Sequence, residues 1–119
     1  MAYDPNNVFA KILRGEIPCK TVHEDEHTLA FHDINPRAPV HVVVIPKGPY
    51  VSMEDFTRTA SDAEIAALFR AVRTVAELTG VSGPGWRMLA NVGANGGQEV
   101  PHLHIHVFGG RPLGPMLAK

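Results

Sequence analysis

The sequence predicts an α+β domain in which about five antiparallel strands form a sheet that carries two helices. Two short segments of strand-forming residues are separated by a polar turn, and a β-branched run from Val40 to Ile45 is long enough for a central strand. Two helical patterns occur without regular alternation with the strands. Together these observations favour antiparallel pairing over the repeated strand-helix-strand units of a parallel sheet.

A short helix and a hairpin are predicted in the first third of the chain. Asn6-Asn7 supplies an N-terminal cap for the helix, and Gly15 marks its end. Residues 21–24 and 28–33 are predicted strands, joined by a polar turn at Asp25-Glu26. The apolar residues of the helix recur at helical spacing and are Val8, Phe9, Ile12 and Leu13.

The second predicted helix lies in the middle of the chain. Ser61 and Glu64 have the spacing of a capping box, in which each side chain accepts a hydrogen bond from the backbone of the other residue. Gly80 ends this helix, and residues 86–92 form a further predicted strand. The apolar stripe of the helix consists of Ile65, Leu68, Phe69, Val72 and Ala76.

Composition limits the classes of function. The chain has 119 residues, a formal net charge of −1 and a pI near 6.6, so its charge does not favour nucleic acid or a membrane surface as a partner. It has no apolar segment of transmembrane length, no signal-peptide pattern and no internal repeat. Cys19 is its single cysteine, which agrees with a reducing compartment. We therefore expect a single domain over residues 1–119, located in the cytoplasm.

Three histidines alternate with apolar residues near the end of the chain. In an extended strand, His102, His104 and His106 would share one face, roughly 6.6 Å apart, while the apolar residues between them would face a core. Such a row of imidazoles can titrate, donate, accept or attack near neutral pH. The pattern indicates a surface that carries chemically reactive groups.

Several interpretations of these histidines remain open at this point. They could form a ladder that faces solvent without a function, or His41 could join them in a zinc site. The preceding loop, residues 91–99, favours another interpretation. Its glycines allow backbone N–H groups to approach an anion, and Asn91 and Gln98 add neutral donors. Beside imidazoles, this loop suggests a phosphate cradle that faces a nucleophile.

The run from His102 to Phe108 resembles the signature of the histidine triad (HIT) superfamily, in which three histidines alternate with apolar residues. The similarity extends over nearly the whole chain and is closest to the nucleoside phosphoramidase (Hint) branch. It implies a HIT-like fold, a homodimer whose sheets join across the interface, and catalysis without a metal or another cofactor. The other matching segments are Phe31-His32-Asp33-Ile34-Asn35-Pro36, Val40 to Lys47, Asn91 with Gly96-Gly97-Gln98, and Gly109-Gly110-Arg111.

The resemblance also implies roles for individual residues. His104 corresponds to the nucleophile that attacks the α-phosphorus, and His106 to the residue that contacts the phosphate and assists the leaving group. His102 and His41 correspond to residues that orient the nucleophile, and Asp33 to the acceptor of the ribose hydroxyls. The implied nucleotide site is completed by an apolar purine pocket of Val8, Phe9, Ile12, Phe31 and Ile34, and by the loop residues Asn91, Gly97, Gln98 and Glu99.

The activity implied by this resemblance is hydrolysis of the P–N bond of purine nucleoside 5′-phosphoramidates, and of aminoacyl adenylates, through a covalent nucleotidyl-histidine. The product would be the nucleoside monophosphate. A non-catalytic protein that binds purine nucleotides or acts as a scaffold, and a zinc-binding module, are the alternatives. Two features differ from the eukaryotic pattern and resemble the bacterial branch: Glu99 replaces a serine, and residues 111–117 replace a Trp-Pro-Pro-Gly ending. The family places this tail close to the partner's site.

Overall fold

The computed structural model describes residues 2–118. Its helices are α1 (Val8–Leu13), α2 (Met53–Thr59) and α3 (Asp62–Leu78), and its strands are β1 (Thr21–Glu24), β2 (Thr28–His32), β3 (Val40–Pro46), β4 (Trp86–Leu89) and β5 (Ile105–Gly109). The strands form one antiparallel sheet in the order β1-β2-β3-β5-β4. The predicted α+β class with five antiparallel strands is confirmed, but the described residues form three helices and not the two that were predicted. Met1 and Lys119, the ends of the predicted domain, lie outside the described residues.

Local capping interactions explain where α1 and α3 begin. The Asn7 side chain accepts a hydrogen bond from the Ala10 backbone N–H at 2.9 Å, and α1 runs from Val8. Ser61 and Glu64 form the predicted capping box of α3. After α3, Gly80 adopts a φ of +77°, a conformation that glycine reaches without steric cost.

The additional helix, α2, follows β3. Ser52 caps it and the Asp55 carboxylate accepts a hydrogen bond from the Ser52 backbone N–H, so that α2 also has a capping box. The helix spans seven residues, of which only Phe56 is buried. Its only apolar residues are Met53 and Phe56, a single pair at i and i+3, which is too few for apolar periodicity to indicate a helix.

Alternate residues of the sheet face two different layers. The helix face packs against α3, and its central residues are Ala30, Val42, Val44, Ile105 and Val107. The opposite face, here called the site face, is partly covered by α1, and its residues are Leu29, Phe31, His41, Val43, Ile45, His106 and Phe108. All of these central residues of the helix face are apolar, whereas the site face combines apolar side chains with histidines.

The histidine strand is shorter than predicted. Regular pairing of β5 begins at Ile105, opposite Val44, so His102 and His104 precede the strand. The Leu103 backbone N–H instead donates to the Tyr50 carbonyl at 2.8 Å. The alternation nevertheless holds, since Leu103 is buried in the core of the helix face. Between residues 2 and 118, no helix has the length and apolar character that crossing a bilayer requires.

Candidate active site

Three histidines meet beside a cavity on the site face. β3 supplies His41 and β5 supplies His106, while His104 lies one residue before β5. The ring centroids of His104 and His106 are 4.9 Å apart, and those of His41 and His106 are 5.2 Å apart. The cavity has a volume of about 360 Å³, which is within the range of small-molecule sites.

His104 is held in a form that suits a nucleophile. Its Nδ1 lies 2.7 Å from the carbonyl oxygen of His102, and because a carbonyl only accepts, Nδ1 carries the ring proton. The Nε2 atom therefore keeps its lone pair. Burial lowers the pKa of His104, so the ring is neutral at pH 7. A neutral imidazole in this tautomer beside a cavity can attack an electrophile.

His41 fixes the tautomer of His106. The Arg37 backbone N–H donates to His41 Nδ1 at 3.2 Å, so the proton of His41 is on Nε2. That Nε2 lies 2.9 Å from His106 Nδ1 and donates to it, which leaves the His106 proton on Nε2. Burial lowers the pKa of His41, and burial together with the neighbouring His104 lowers the pKa of His106 to about 4. The site thus contains a neutral histidine with a lone pair on Nε2 next to a histidine that is protonated on Nε2.

His102 lies behind this pair and is completely buried. Its Nε2 is 2.9 Å from the Pro46 carbonyl oxygen and its Nδ1 is 2.6 Å from the Tyr3 hydroxyl. Burial lowers the pKa of His102 to about 4. His102 is therefore a neutral ring with both nitrogens engaged, and it does not line the cavity.

Asp33 lies at the His41 end of the cavity and allows a test of the metal alternative. Its Oδ2 is 3.5 Å from His41 Nε2, and the ligand atoms of Asp33, His41 and His106 are close enough together to hold a metal ion. However, two nitrogens bound tetrahedrally to zinc at about 2.0 Å would be about 3.3 Å apart. The 2.9 Å between His41 Nε2 and His106 Nδ1 is the distance of a hydrogen bond. The arrangement favours a pair of rings linked by a proton, and the expected independence from metal stays a prediction.

Most of the predicted donors in the loop of residues 91–99 already bond to backbone carbonyls of the protein. Asn91 Nδ2 donates to the Gly96 carbonyl at 2.6 Å, and Gln98 Nε2 donates to the carbonyls of Val51 and Val100. The backbone N–H groups of Gly97 and Gln98 are also bonded within the loop. These bonds define the shape of the loop, and a phosphate in the cavity would need donors from other residues.

The structure brings eight of the predicted site residues to the cavity wall. They are Phe9, Asp33, His41, Asn91, Gly97, Glu99, His104 and His106. Asp33 also makes a local turn contact, in which its Oδ1 accepts a hydrogen bond from the Asn35 backbone N–H at 2.8 Å.

The remaining predicted residues lie away from the cavity wall. Phe31 is buried and packs edge-on against Phe9, with 5.5 Å between the ring centroids, and Ile12 belongs to the same apolar cluster. Val8 is 40% exposed and Ile34 is 98% exposed, so neither side chain is part of a closed pocket. Gln98 and His102 do not line the cavity, but their hydrogen bonds to backbone carbonyls hold the segments that do.

Arg37 is a cavity residue that the sequence analysis missed. Among the described residues that line the cavity, it is the one lysine or arginine, and its charge lowers the pKa of both His41 and His106. It lies in the loop between β2 and β3, where Pro36 and Pro39 indicated only a break in the chain. Its position four residues after Asp33, in the same loop, is the signal that could have identified it.

The fold and the site together define a class: an antiparallel α+β sheet that holds a cluster of neutral histidines against a cavity on one face. The sequence profile of the HIT domain matches residues 14–113. The chain therefore belongs to the HIT domain family, and the predicted resemblance is confirmed.

Individual relatives cover nearly the whole chain. A HIT-like protein of 13.2 kDa from Azospirillum brasilense is 68% identical over 117 residues, which are 98% of this chain and 96% of that protein. The purine nucleoside phosphoramidase of Escherichia coli (strain K12) is 40% identical over 111 residues, or 93% and 92% of the two chains. A solved HIT family hydrolase from Clostridium thermocellum matches with a TM-score of 0.86 at 39% identity, covering 95% and 97%.

Proposed function

We propose that the protein is a hydrolase of purine nucleoside 5′-phosphoramidates and aminoacyl adenylates that acts through a nucleotidyl group on His104. The observation that carries this proposal is the hydrogen bond from His104 Nδ1 to the His102 carbonyl. It leaves the Nε2 lone pair of a neutral ring beside the cavity, next to a second ring whose proton is on Nε2.

The two rings supply the groups that a two-step displacement needs. In the first step, His104 Nε2 forms a bond to the α-phosphorus while the P–N bond breaks, and His106 Nε2–H gives its proton to the departing amine. The nucleotidyl ring of His104 is then positively charged and the ring of His106 negatively charged, so the net charge of the pair is unchanged. In the second step, water attacks the phosphorus, His106 takes a proton from that water, and the N–P bond to His104 breaks. The nucleoside monophosphate leaves and both histidines return to their starting tautomers.

Charged and apolar groups around the histidines support a nucleotide as the substrate. Arg37 and His106 offer donors to the phosphate, since the loop donors are already engaged. Asp33 offers an acceptor to the ribose hydroxyls, and Phe9 offers an aromatic surface to a base. A base that stacks on Phe9 without polar contacts would favour the larger purine ring and distinguish adenine from guanine only weakly. The E. coli relative is named a purine nucleoside phosphoramidase, which supports the same substrate class.

The active form is a homodimer in the cytoplasm, in which each chain is one domain. The sheets of the two chains join at β4. This strand is an edge of the sheet, and Met88 and Leu89 on it are 39% and 37% exposed. Leu89 also lines the cavity, so a partner at this edge would approach the site. Sedimentation of the purified protein at several concentrations tests the dimer, and a monomer at micromolar concentration would contradict it.

Hydrolysis of adenosine 5′-phosphoramidate, measured before and after dialysis against a strong chelator, tests the activity. We expect the same turnover in both samples, because none of the steps above requires a metal. Mass spectrometry of acid-quenched protein should show the mass of a nucleotidyl group on the peptide that contains His104. Activity that disappears with the chelator and returns with zinc would establish the metal alternative. Nucleotide binding without any turnover would establish the scaffold alternative.

A further inference from the structure

We propose that Tyr3 is a positioning residue that sets the geometry of His104 by fixing the ring and the backbone of His102. The inference rests on the proposed function, because it assigns Tyr3 a part in presenting the nucleophile. Tyr3 lies 99 residues from His102 in sequence, and the proposed reaction gives it no chemical step.

The hydrogen bonds of His102 determine which group donates. The Pro46 carbonyl can only accept, so His102 Nε2 carries the proton. His102 Nδ1 is then an acceptor, and the Tyr3 hydroxyl donates to it at 2.6 Å. With Pro46 on one side and Tyr3 on the other, the buried ring has one tautomer and one orientation.

The backbone of the same residue controls the nucleophile. The His102 carbonyl accepts from His104 Nδ1 at 2.7 Å and thereby places the lone pair of His104 on Nε2. The sheet ladder does not hold this carbonyl, because pairing of β5 begins at Ile105. The Leu103 N–H of the same peptide group donates to the Tyr50 carbonyl, and the ring bonds of His102 add a second restraint on this peptide, which lies outside the regular strand.

The packing around Tyr3 supports a direct connection with the site. The Tyr3 ring lies edge-on to the ring of His102, with 5.6 Å between the centroids. Phe9 packs against both His102 and His104. Removal of the Tyr3 hydroxyl would leave a buried ring nitrogen without a donor, and the ring would gain other orientations and the other tautomer.

A pair of matched substitutions tests the inference, because the chain has two tyrosines. Tyr3→Phe removes the hydroxyl that reaches His102. Tyr50→Phe removes a hydroxyl that donates to Glu64 at 2.7 Å and keeps the Tyr50 carbonyl that accepts from the Leu103 N–H. We expect Tyr3→Phe to lower kcat about tenfold with an unchanged affinity for nucleoside monophosphate, as for a misoriented catalytic group. Tyr50→Phe should leave kcat within twofold of the wild type.

Nitrogen-15 NMR of the histidine rings provides a readout that needs no substrate. In the wild type, His104 should show one protonated Nδ1 and one unprotonated Nε2, and in Tyr3→Phe the two shifts should move towards each other. If the wild type fails to hydrolyse phosphoramidates, that failure counts against the proposed function alone. The NMR shifts would still show whether Tyr3 positions His104. Unchanged nitrogen shifts of His104 in Tyr3→Phe would overturn the inference. This holds if kcat is normal, and also if kcat falls only as much as the thermal stability does.

Discussion

The two faces of the sheet are built from the same strands but differ in what covers them. On the helix face, α3 buries Val42, Val44, Ile105 and Val107 completely. On the site face, α1 covers the apolar residues of β2 and β3, and the remainder carries His41, His106 and Phe108 around the cavity. One face is a closed apolar core, and the other is partly open.

This difference shows how the fold separates stability from chemistry. Consecutive residues of β5 face opposite sides of the sheet. Each histidine on the site face is therefore next in sequence to a residue that is fixed in the packed core. The packed face holds the strand in place, and the open face can present polar rings without a large loss of buried apolar area. Substitutions that affect one face should therefore leave the properties of the other face largely unchanged.

The largest effect is expected for His104→Ala on the site face. Loss of the nucleophile should lower turnover of a phosphoramidate about 10⁴-fold, while the affinity for nucleoside monophosphate changes little. Steady-state kinetics and calorimetric titration measure the two quantities. The exposed His32 provides a matched control, and His32→Ala should retain full activity. Near-normal turnover of His104→Ala would falsify the mechanism.

The adjacent residue, Ile105, should respond in the opposite way. Ile105 is completely buried on the helix face, and Ile105→Ala should lower the free energy of unfolding by about 2 to 5 kcal/mol. Turnover per folded molecule should stay close to that of the wild type. Denaturant titration gives the stability, and kinetics at low temperature give the turnover. A folded Ile105→Ala protein with greatly reduced kcat would show that the two faces are coupled.

The buried His102 predicts a pH dependence of stability. Its pKa in the folded protein is about 4, below the ordinary histidine value of about 6.5, so between these pH values the unfolded chain binds more protons. The free energy of unfolding should therefore fall as pH is lowered through this range, by roughly 3 kcal/mol for His102, since one pKa unit corresponds to about 1.4 kcal/mol. Denaturant titrations from pH 7 to pH 4 measure this slope. The slope should be smaller in His102→Gln but not in His32→Gln, and equal slopes in all three proteins would refute the assignment.

Asp33 tests how the open face recognises the sugar. If Asp33 accepts from the ribose hydroxyls, Asp33→Ala should cost about 1 to 3 kcal/mol in transition-state binding. A 2′-deoxy substrate should cost a similar amount with the wild type and much less with Asp33→Ala. The four values of kcat/KM form a double-mutant cycle. Additive losses in this cycle would remove the ribose assignment.

The smallest effect concerns Glu99, an exposed carboxylate at the cavity wall. It should favour a basic leaving group over an acidic one by less than about 1 kcal/mol, because solvent screens exposed charges. We expect Glu99→Gln to reduce the preference for lysyl over glutamyl phosphoramidate a few-fold, while Glu26→Gln on the distant β1–β2 turn has no effect. Specificity constants for lysyl, alanyl and glutamyl substrates measure the preference. The same ranking in both variants would exclude a role for the charge.

Much of this arrangement could be predicted because it depends on local patterns. The alternation in residues 102–108 determined which side chains face the core, and the spacing of Ser61 and Glu64 determined where α3 begins. Strand periodicity and helix caps involve residues that are neighbours in the chain. Such features are visible without knowledge of the fold.

Other features depend on tertiary contacts. Phe69 was predicted in the apolar stripe of α3 but is 44% exposed, because the sheet buries a stripe centred on Leu68, Val72 and Val75. The start of β5 depends on the length of its partner strands, which local patterns do not contain. The contact of Tyr3 with His102 joins opposite ends of the chain and has no local signal at all.

The tail shows the same limit. The family resemblance places the tail, residues 111–117, close to a partner's site, and in this chain the Gly114 and Pro115 carbonyls accept hydrogen bonds from Arg87 on β4. Met116 and Leu117 nevertheless remain 83% and 77% exposed. Their burial against a partner at the β4 edge stays a prediction.

The pairing of β3 with β5 has a consequence for the order of folding. It brings together His41 and His106, which are 65 residues apart, with α2, α3 and β4 in between. The β1-β2-β3 meander needs only short loops and can form early, whereas closing the long connection costs more chain entropy and comes later. The histidine cluster is therefore among the last parts of the molecule to assemble. During refolding, catalytic activity should return with the slowest phase, after most of the secondary structure has formed.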